Sequence, residues 1–250
     1  LEILDVAGDY NSPTNWRSSS EYGGTPGFIG LGPDNRIVVN EVLTHTDPPL
    51  VDSVELYNTT ESAIQIGGWF LSDNNDQYKK YRIPDGVIIP AEGYLILDET
   101  NAFNTTLGVA SNDFSFNSAH GDDVWLLEAD ASTNLVRFVD HVDFGAAKNG
   151  EAFGRWPNGR GPLYPMMSRT FGASNSGPRV GPVVFSELMY NTVTDNPDLE
   201  FIEIFNGSAL PVNLTHWELD KGIDYSFPTM CLPQGGWLWC FHLIRRTPSI

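Results

Sequence analysis

The feature that most limits what this chain can fold into is a recurrence of whole strand-like blocks about 145 residues apart. Val38-Val39-Asn40-Glu41-Val42-Leu43 returns as Val184-Phe185-Ser186-Glu187-Leu188-Met189, and Val54-Glu55-Leu56-Tyr57-Asn58 returns as Ile202-Glu203-Ile204-Phe205-Asn206. Trp69 and Leu71 are answered by Trp217 and Leu219, Tyr81 and Pro84 by Tyr225 and Pro228, and Pro90, Gly93 and Tyr94 by Pro233, Gly236 and Trp237. Thr25 and Gly27 match Thr170 and Gly172 in the same way. Solenoid repeats run at roughly 20 to 50 residues, so a period this long means complete domains in tandem. The expected organisation is the C-terminal tail of a preceding unit over residues 1–27, a linker over 28–36, a complete unit over 37–180 and a partial second unit over 181–250.

Within a unit the blocks are short and alternate in polarity, and the 24 Gly and 17 Pro punctuate them too often for long helices. That pattern predicts an all-β fold of the sandwich or barrel kind. Strict alternation in Ile37–Leu43 turns Val38, Asn40 and Val42 to one side and Ile37, Val39, Glu41 and Leu43 to the other. Residues 122–144 lack Gly and Pro, but Val136, Phe138, Val142 and Phe144 alternate with polar neighbours, and Asp130 to Asn134 supply a turn, so a hairpin is expected. Residues 99–113 are polar and read as a long loop. Trp69, Trp125 and Trp156 lie in or beside strands and are expected in the core.

The order and spacing of these blocks resemble the lamin-tail domain. The resemblance rests on Val39-Asn40-Glu41, Val54-Glu55-Leu56-Tyr57-Asn58, Gly68-Trp69-Phe70-Leu71-Ser72-Asp73, Tyr81-Arg82-Ile83-Pro84, Gly93-Tyr94-Leu95, Gly121 to Leu126 and Gly150 to Arg155. It covers residues 37 to about 160 and then a second copy to about 239. It implies an immunoglobulin-like β-sandwich, and the tandem copies and acidity are similar to the bacterial secreted or surface branch of the family. Beyond about Phe227 the sequence departs from the pattern. Asp and Glu disappear, Cys231 and Cys240 enter, and Trp237, Trp239, Arg245 and Arg246 crowd together. A truncated or shifted frame after that point is the expectation.

Charge narrows the partners. With 14 Lys and Arg against 32 Asp and Glu, the net charge is -18, and no basic run exceeds Lys79-Lys80 or Arg245-Arg246. Such a field repels phosphate backbones, so nucleic acid is not an expected partner. No apolar run approaches the ~18 residues of a membrane span. The two cysteines lie in the last 20 residues and give the body no disulfide framework.

Catalytic patterns are missing: there is no nucleophile elbow, His-Glu-x-x-His, P-loop or Cys-His pair. His120-Gly121-Asp122-Asp123 and Asp140-His141-Val142-Asp143 contain ligand-type residues, but the first is turn chemistry at a strand entry and alternation splits the second across two faces. Asp73-Asn74-Asn75-Asp76 offers oxygen ligands, with Asp73, Asn75 and Asp76 as a calcium-loop candidate, although it lacks the Gly and distal Glu of an EF-hand and also reads as an Asx turn. No other cofactor is expected. Glu55 and Glu203 recur beside apolar neighbours and are expected to make structural hydrogen bonds. Asn58, Asn104, Asn206 and Asn213 each begin a glycosylation acceptor pattern.

The functional expectation is a non-enzymatic structural or adhesive module of a larger extracellular or cell-surface protein. It would space the flanking domains of the same polypeptide and contact protein or glycan partners. The alternative, from the family resemblance, is an accessory domain of an extracellular hydrolase, nuclease or spore-coat-kinase-like protein whose catalytic domain lies elsewhere.

Overall fold

The computed structural model describes residues 1–190, 199–207, 210–219 and 225–241. The chain divides into two compact units, Leu1–Arg179 and Val180–Ile250. In the first, β1 (Glu2–Ile3) and β2 (Trp16–Arg17) form a small ribbon, followed by β3 (Ile37–Leu43), β4 (Ser53–Asn58), β5 (Ile64–Gln65), β6 (Phe70–Ser72), β7 (Tyr81–Arg82), β8 (Ile88–Ile89) and β9 (Tyr94–Asp98). A hairpin of β10 (Asp122–Ala129) and β11 (Leu135–Phe144) precedes β12 (Ala152–Arg155) and β13 (Leu163–Pro165). A four-stranded sheet in the order β11-β10-β6-β7 and a five-stranded sheet in the order β13-β12-β3-β4-β9 enclose the core. Val39, Val42, Val54, Leu56 and Leu97 come from the larger sheet, and Leu71, Val124, Leu126, Val139 and Val142 from the smaller. The fold is therefore all-β and a two-sheet sandwich, as the sequence predicts.

Two expectations need correction. Strict alternation in β3 would set Val42 apart from Ile37 and Val39, yet all three are in one core cluster. The cause is a β-bulge: the register with β4 pairs Val39 with Leu56 and Glu41 with Glu55, leaving Asn40 as the extra residue. The bulge resets the phase, so Asn40 and Glu41 both leave the core side. The second correction concerns the polar loop after β9. Asp98 accepts hydrogen bonds from the amides of Thr100 and Asn101, starting a single π-helical turn over Glu99–Phe103. That turn drives Phe103 into the core, 1% exposed, where it stacks on Phe114 at 4.6 Å and meets Phe116 at 5.6 Å. Isolated aromatics in a polar stretch thus form a core layer that no local periodicity announces.

The second unit, described by itself, contains β14 (Val183–Met189), β15 (Phe201–Asn206), β16 (Val212–Asn213), β17 (Glu218–Leu219), β18 (Tyr225–Ser226), β19 (Cys231–Leu232) and β20 (Trp237–Phe241). Its sheet order β14-β15-β20 matches β3-β4-β9, and the pairs β16-β19 and β17-β18 match β5-β8 and β6-β7. The bulge recurs at Ser186, between Phe185 and Glu187. Asn58 Nδ2 donates to the carbonyls of Ser62, Ile89 and Pro90 at 2.7, 3.1 and 2.8 Å. Asn206 Nδ2 donates to those of Leu210, Leu232 and Pro233 at 2.9, 3.0 and 2.9 Å. Past Phe227, where the sequence departs from the pattern, β19 and β20 pair in the same registers as β8 and β9. Arg245 and Arg246 lie outside the described residues.

The two anchoring asparagines are fully buried, which closes two of the four acceptor patterns, whereas Asn213 is exposed. Replacing Asn58 with Ala should lower the stability of the first unit by roughly 3 kcal/mol, because it leaves buried carbonyls unpaired. Urea denaturation checks this, and a loss below about 0.5 kcal/mol would rule out the anchoring role.

Candidate functional site

The bulge in β3 creates an unusual polar layer on the outer face of the five-stranded sheet. Glu41 and Glu55 face each other across β3 and β4, and both, with Asn40, are 0% exposed. Two buried carboxylates side by side need donors. These come from the Gly- and Pro-containing segment that follows β12, which folds back across the sheet. The Thr170 amide donates to Glu41 Oε1 at 2.9 Å, its hydroxyl donates to Glu41 Oε2 at 2.6 Å, and the Gly172 amide donates to Glu55 Oε2 at 2.5 Å. Asn40 Nδ2 donates to Glu55 Oε1 at 2.9 Å. The turn itself is closed by the Ala173 amide on the Thr170 carbonyl at 2.9 Å. Gly172 sits at φ +82°, a conformation that makes glycine the natural residue here.

Around this clasp the remaining polar groups are paired in turn. Asn175 Nδ2 donates to the carbonyls of Asn40 and Arg155 at 3.1 and 2.9 Å, and Asn158 Oδ1 accepts from the Asn175 amide at 3.0 Å. The Gly159 amide donates to Asn40 Oδ1 at 2.9 Å. Burial pushes the Glu55 carboxyl up to about 7, with the Glu41 charge adding to the rise and the Gly172 and Asn40 hydrogen bonds opposing it. Burial raises Glu41 as well, against the donors of Thr170 and the charge of Arg169. A carboxyl titrating near neutrality is often catalytic. Here both carboxylates are wholly covered and engaged by backbone and amide donors, so their chemistry is that of a fastening.

A second junction ties the sheets together. Asp140 of β11 accepts from the Val39 amide at 2.7 Å and from Arg155 Nη2 at 2.9 and 2.8 Å, while Arg155 Nε donates to the Val39 carbonyl at 2.8 Å. Burial raises the Asp140 carboxyl and Arg155 pulls it back. Sequence reading did not pair Asp140 with Arg155, and it did not identify Asn158, Thr170 and Asn175 as partners. The one signal available was the recurrence of Thr-x-Gly at residues 25–27 and 170–172.

The residues singled out for metal chemistry are placed as follows. Asp73, Asn75 and Asp76 line a recess of about 390 Å³ with Asn74, Asp122, Asp123 and Asp143. Lys80 Nζ stands 2.5 Å from Asp73 Oδ1, and Asn74 Oδ1 accepts from the Asp76 amide at 2.6 Å, an Asx turn. Among the described residues, no group of three or more His, Cys, Asp or Glu side chains is placed to hold a metal ion. Asp140 is separated from His141, which stacks on Trp125 at 3.6 Å and lies 3.5 Å from Asp123.

That stacking corrects the expectation for the tryptophans. Trp69 is in the core, but Trp125 lies on the outer face of the hairpin beside Tyr78 and Phe138, and Trp156 is 44% exposed. Alternation places a residue on a face without saying which face is covered. Part of the hairpin's outer surface is covered by the segment before β3. The Tyr22 amide donates to the Val136 carbonyl, the Phe138 amide donates to the Ser20 carbonyl, and the Tyr22 ring meets Phe138 at 5.5 Å. Arg137 pairs with the buried Asp34 at 2.9 Å.

Two outcomes follow from these junctions. Because the folded Glu55 titrates above its unfolded range, its contribution is fully present below about pH 4.5 and is lost as pH rises to about 7. The stability difference between wild type and Glu55→Gln should change by roughly 3 kcal/mol across that window and be flat above it, as read from urea melts at several pH values. A difference that does not vary with pH would exclude a shifted Glu55. Asp140→Ala should lose about 3 to 5 kcal/mol, since it strands a buried Arg155; a loss under 1 kcal/mol in the same melts would show that the junction is dispensable.

Residues 32–145 match the family model described as Lamin Tail Domain. No curated protein and no solved structure is a significant match to the chain. The matched span takes in both sheets up to the end of β11, with the bulge, the Asn58 anchor and the hairpin. Residues 32–145 are therefore a lamin tail domain, an immunoglobulin-like β-sandwich.

Proposed function

We propose that the chain is a non-enzymatic structural segment of an extracellular or cell-surface protein, in which lamin tail domains stand in tandem, space their neighbours and present loop surfaces to protein or glycan partners. The observation that carries this reading is the agreement between the two units in their least repeatable details. The bulge at Asn40 and Ser186 and the three-carbonyl anchor at Asn58 and Asn206 are the same devices in both. A further support is that the buried Glu41 and Glu55 pair, with Asn40, is engaged in holding the fold. The net charge of -18 suits a soluble spacer that does not self-condense.

Concatenating residues 33–178 in one, two and four copies tests the reading. The expected result is a maximum dimension in small-angle scattering that grows in proportion to copy number, with one unchanged melting transition. Copies that collapse on each other, or that melt at different temperatures as number rises, would sink it. A catalytic domain in flanking sequence would instead favour the accessory role.

A further inference from the structure

In a chain with 14 Lys and Arg against 32 Asp and Glu, a cation without a carboxylate is the exception that needs a reason. Most of the described Lys and Arg side chains form ion pairs, among them Lys80 with Asp73, Arg155 with Asp140 and Arg179 with Glu151. Among the described residues, the side chains of Lys148, Arg160 and Arg169 make neither an ion pair nor a hydrogen bond. Arg160 lines a recess of about 410 Å³ that already contains Asp140. Arg169 lines a separate groove of about 720 Å³, and no acidic residue contributes to that lining. Its charge lowers Glu41 across space, but the two form no ion pair.

The groove lies within the first unit, between the loop that joins β3 to β4 and the segment that carries the clasp. Leu43 lines it from the end of β3, Pro49, Leu50 and Val51 from the loop, and Arg169 and Phe171 from the clasp segment. Leu50, Val51 and Phe171 are half-buried, and Arg169 is exposed. An uncompensated guanidinium therefore stands beside apolar side chains. The walls also offer backbone donors. Among the described residues, the amides of Val51, Arg169 and Phe171 donate to no group of the chain. The last two flank Thr170, whose own amide is spent on Glu41.

We propose that this groove binds an extended segment of a partner protein in which a single Asp or Glu is flanked by aliphatic residues or Pro. The carboxylate meets Arg169 in a charge-assisted contact. The flanking side chains cover Leu50, Val51 and Phe171, and the carbonyls of the segment take the amides of the walls, as in other peptide sites built on main-chain contacts. A fatty carboxylate would answer the cation and the apolar side chains but leave those amides without acceptors. The net charge of -18 repels further acids, so the segment carries one carboxylate in an otherwise uncharged run. One wall of the groove is also the clasp, so an occupied groove braces Thr170 and Gly172, and an opened clasp dismantles the groove. The spacer reading needs only loop surfaces open to a partner; because the groove lies wholly within one unit, its titration can fail while the spacing holds.

The test uses the full 250-residue chain and a pool of short blocked peptides with a central Glu among Val, Ile, Leu and Pro. Adding the pool should shift the amide NMR signals of Val51, Arg169 and Phe171, with a Kd on the order of 0.1 to 1 mM. Hydrogen exchange at the Thr170 and Gly172 amides should slow as the groove fills. Replacing the central Glu by Gln should weaken binding about five- to tenfold, and so should Arg169→Gln. The two changes together should cost no more than either alone, which identifies the pair. The peptide change needs no variant protein, so it carries the test even where Arg169→Gln disturbs the clasp. No shift at the groove up to about 5 mM peptide would overturn the proposal, as would a preference for Glu that survives Arg169→Gln or octanoate binding as tightly as the peptides.

Discussion

The first unit depends on the need to satisfy two carboxylates that a β-bulge buries side by side. Once Asn40 is inserted into β3, Glu41 and Glu55 share one covered face, and neither water nor a lysine reaches them. Leaving either unpaired would cost several kcal/mol, comparable to the whole stability of a domain. The chain answers by bringing donors from more than 110 residues further along, at Thr170 and Gly172. The position of the segment after β12, and with it the packing of Asn158 and Asn175, follows from that requirement. The fold is therefore held by apolar burial between the sheets and by directed polar contacts on the outside of one of them.

This division explains what could be read in the sequence. Strand positions, the hairpin at Asp122–Phe144 and the all-β class follow from local alternation and turn residues, which act over a few positions and leave a visible pattern. The bulge escaped because one inserted residue changes the phase of β3 without changing its composition. Phe103 and Phe114 escaped because a turn capped by Asp98, not a strand, carries the first of them inward. Trp125 and Trp156 show the converse: large aromatics in strand context were expected inside, but which face of a sheet is covered depends on distant chain.

The site residues divide in the same way. Glu55 and Glu203 stood out as recurring acids beside apolar neighbours, and structural hydrogen bonding is what both do. Their partners could not be read, since a donor that contributes a backbone amide has no side-chain signature. The acidic loop was legible as Asp73, Asn75 and Asp76, but its neighbours were not: Lys80 returns to Asp73 across the turn, and Asp122 and Asp143 arrive from another hairpin.

The location of the clasp also governs how a unit would carry tension. β3, the first strand of the sandwich, and β12, near its end, are neighbours in one sheet, and the chain leaving β12 crosses the outer face before it exits at Arg179. A pull on the outgoing chain first loads the Arg179 contacts with Pro165 and Glu151 and the Met166–Pro178 bridge, and then the carboxylate hydrogen bonds of Thr170 and Gly172, before it reaches the ladders of β3, β4 and β12. Because one of those carboxyls titrates near neutrality, the yield force of a string of such units would vary with the acidity of its surroundings while the sandwich behind the clasp stays intact.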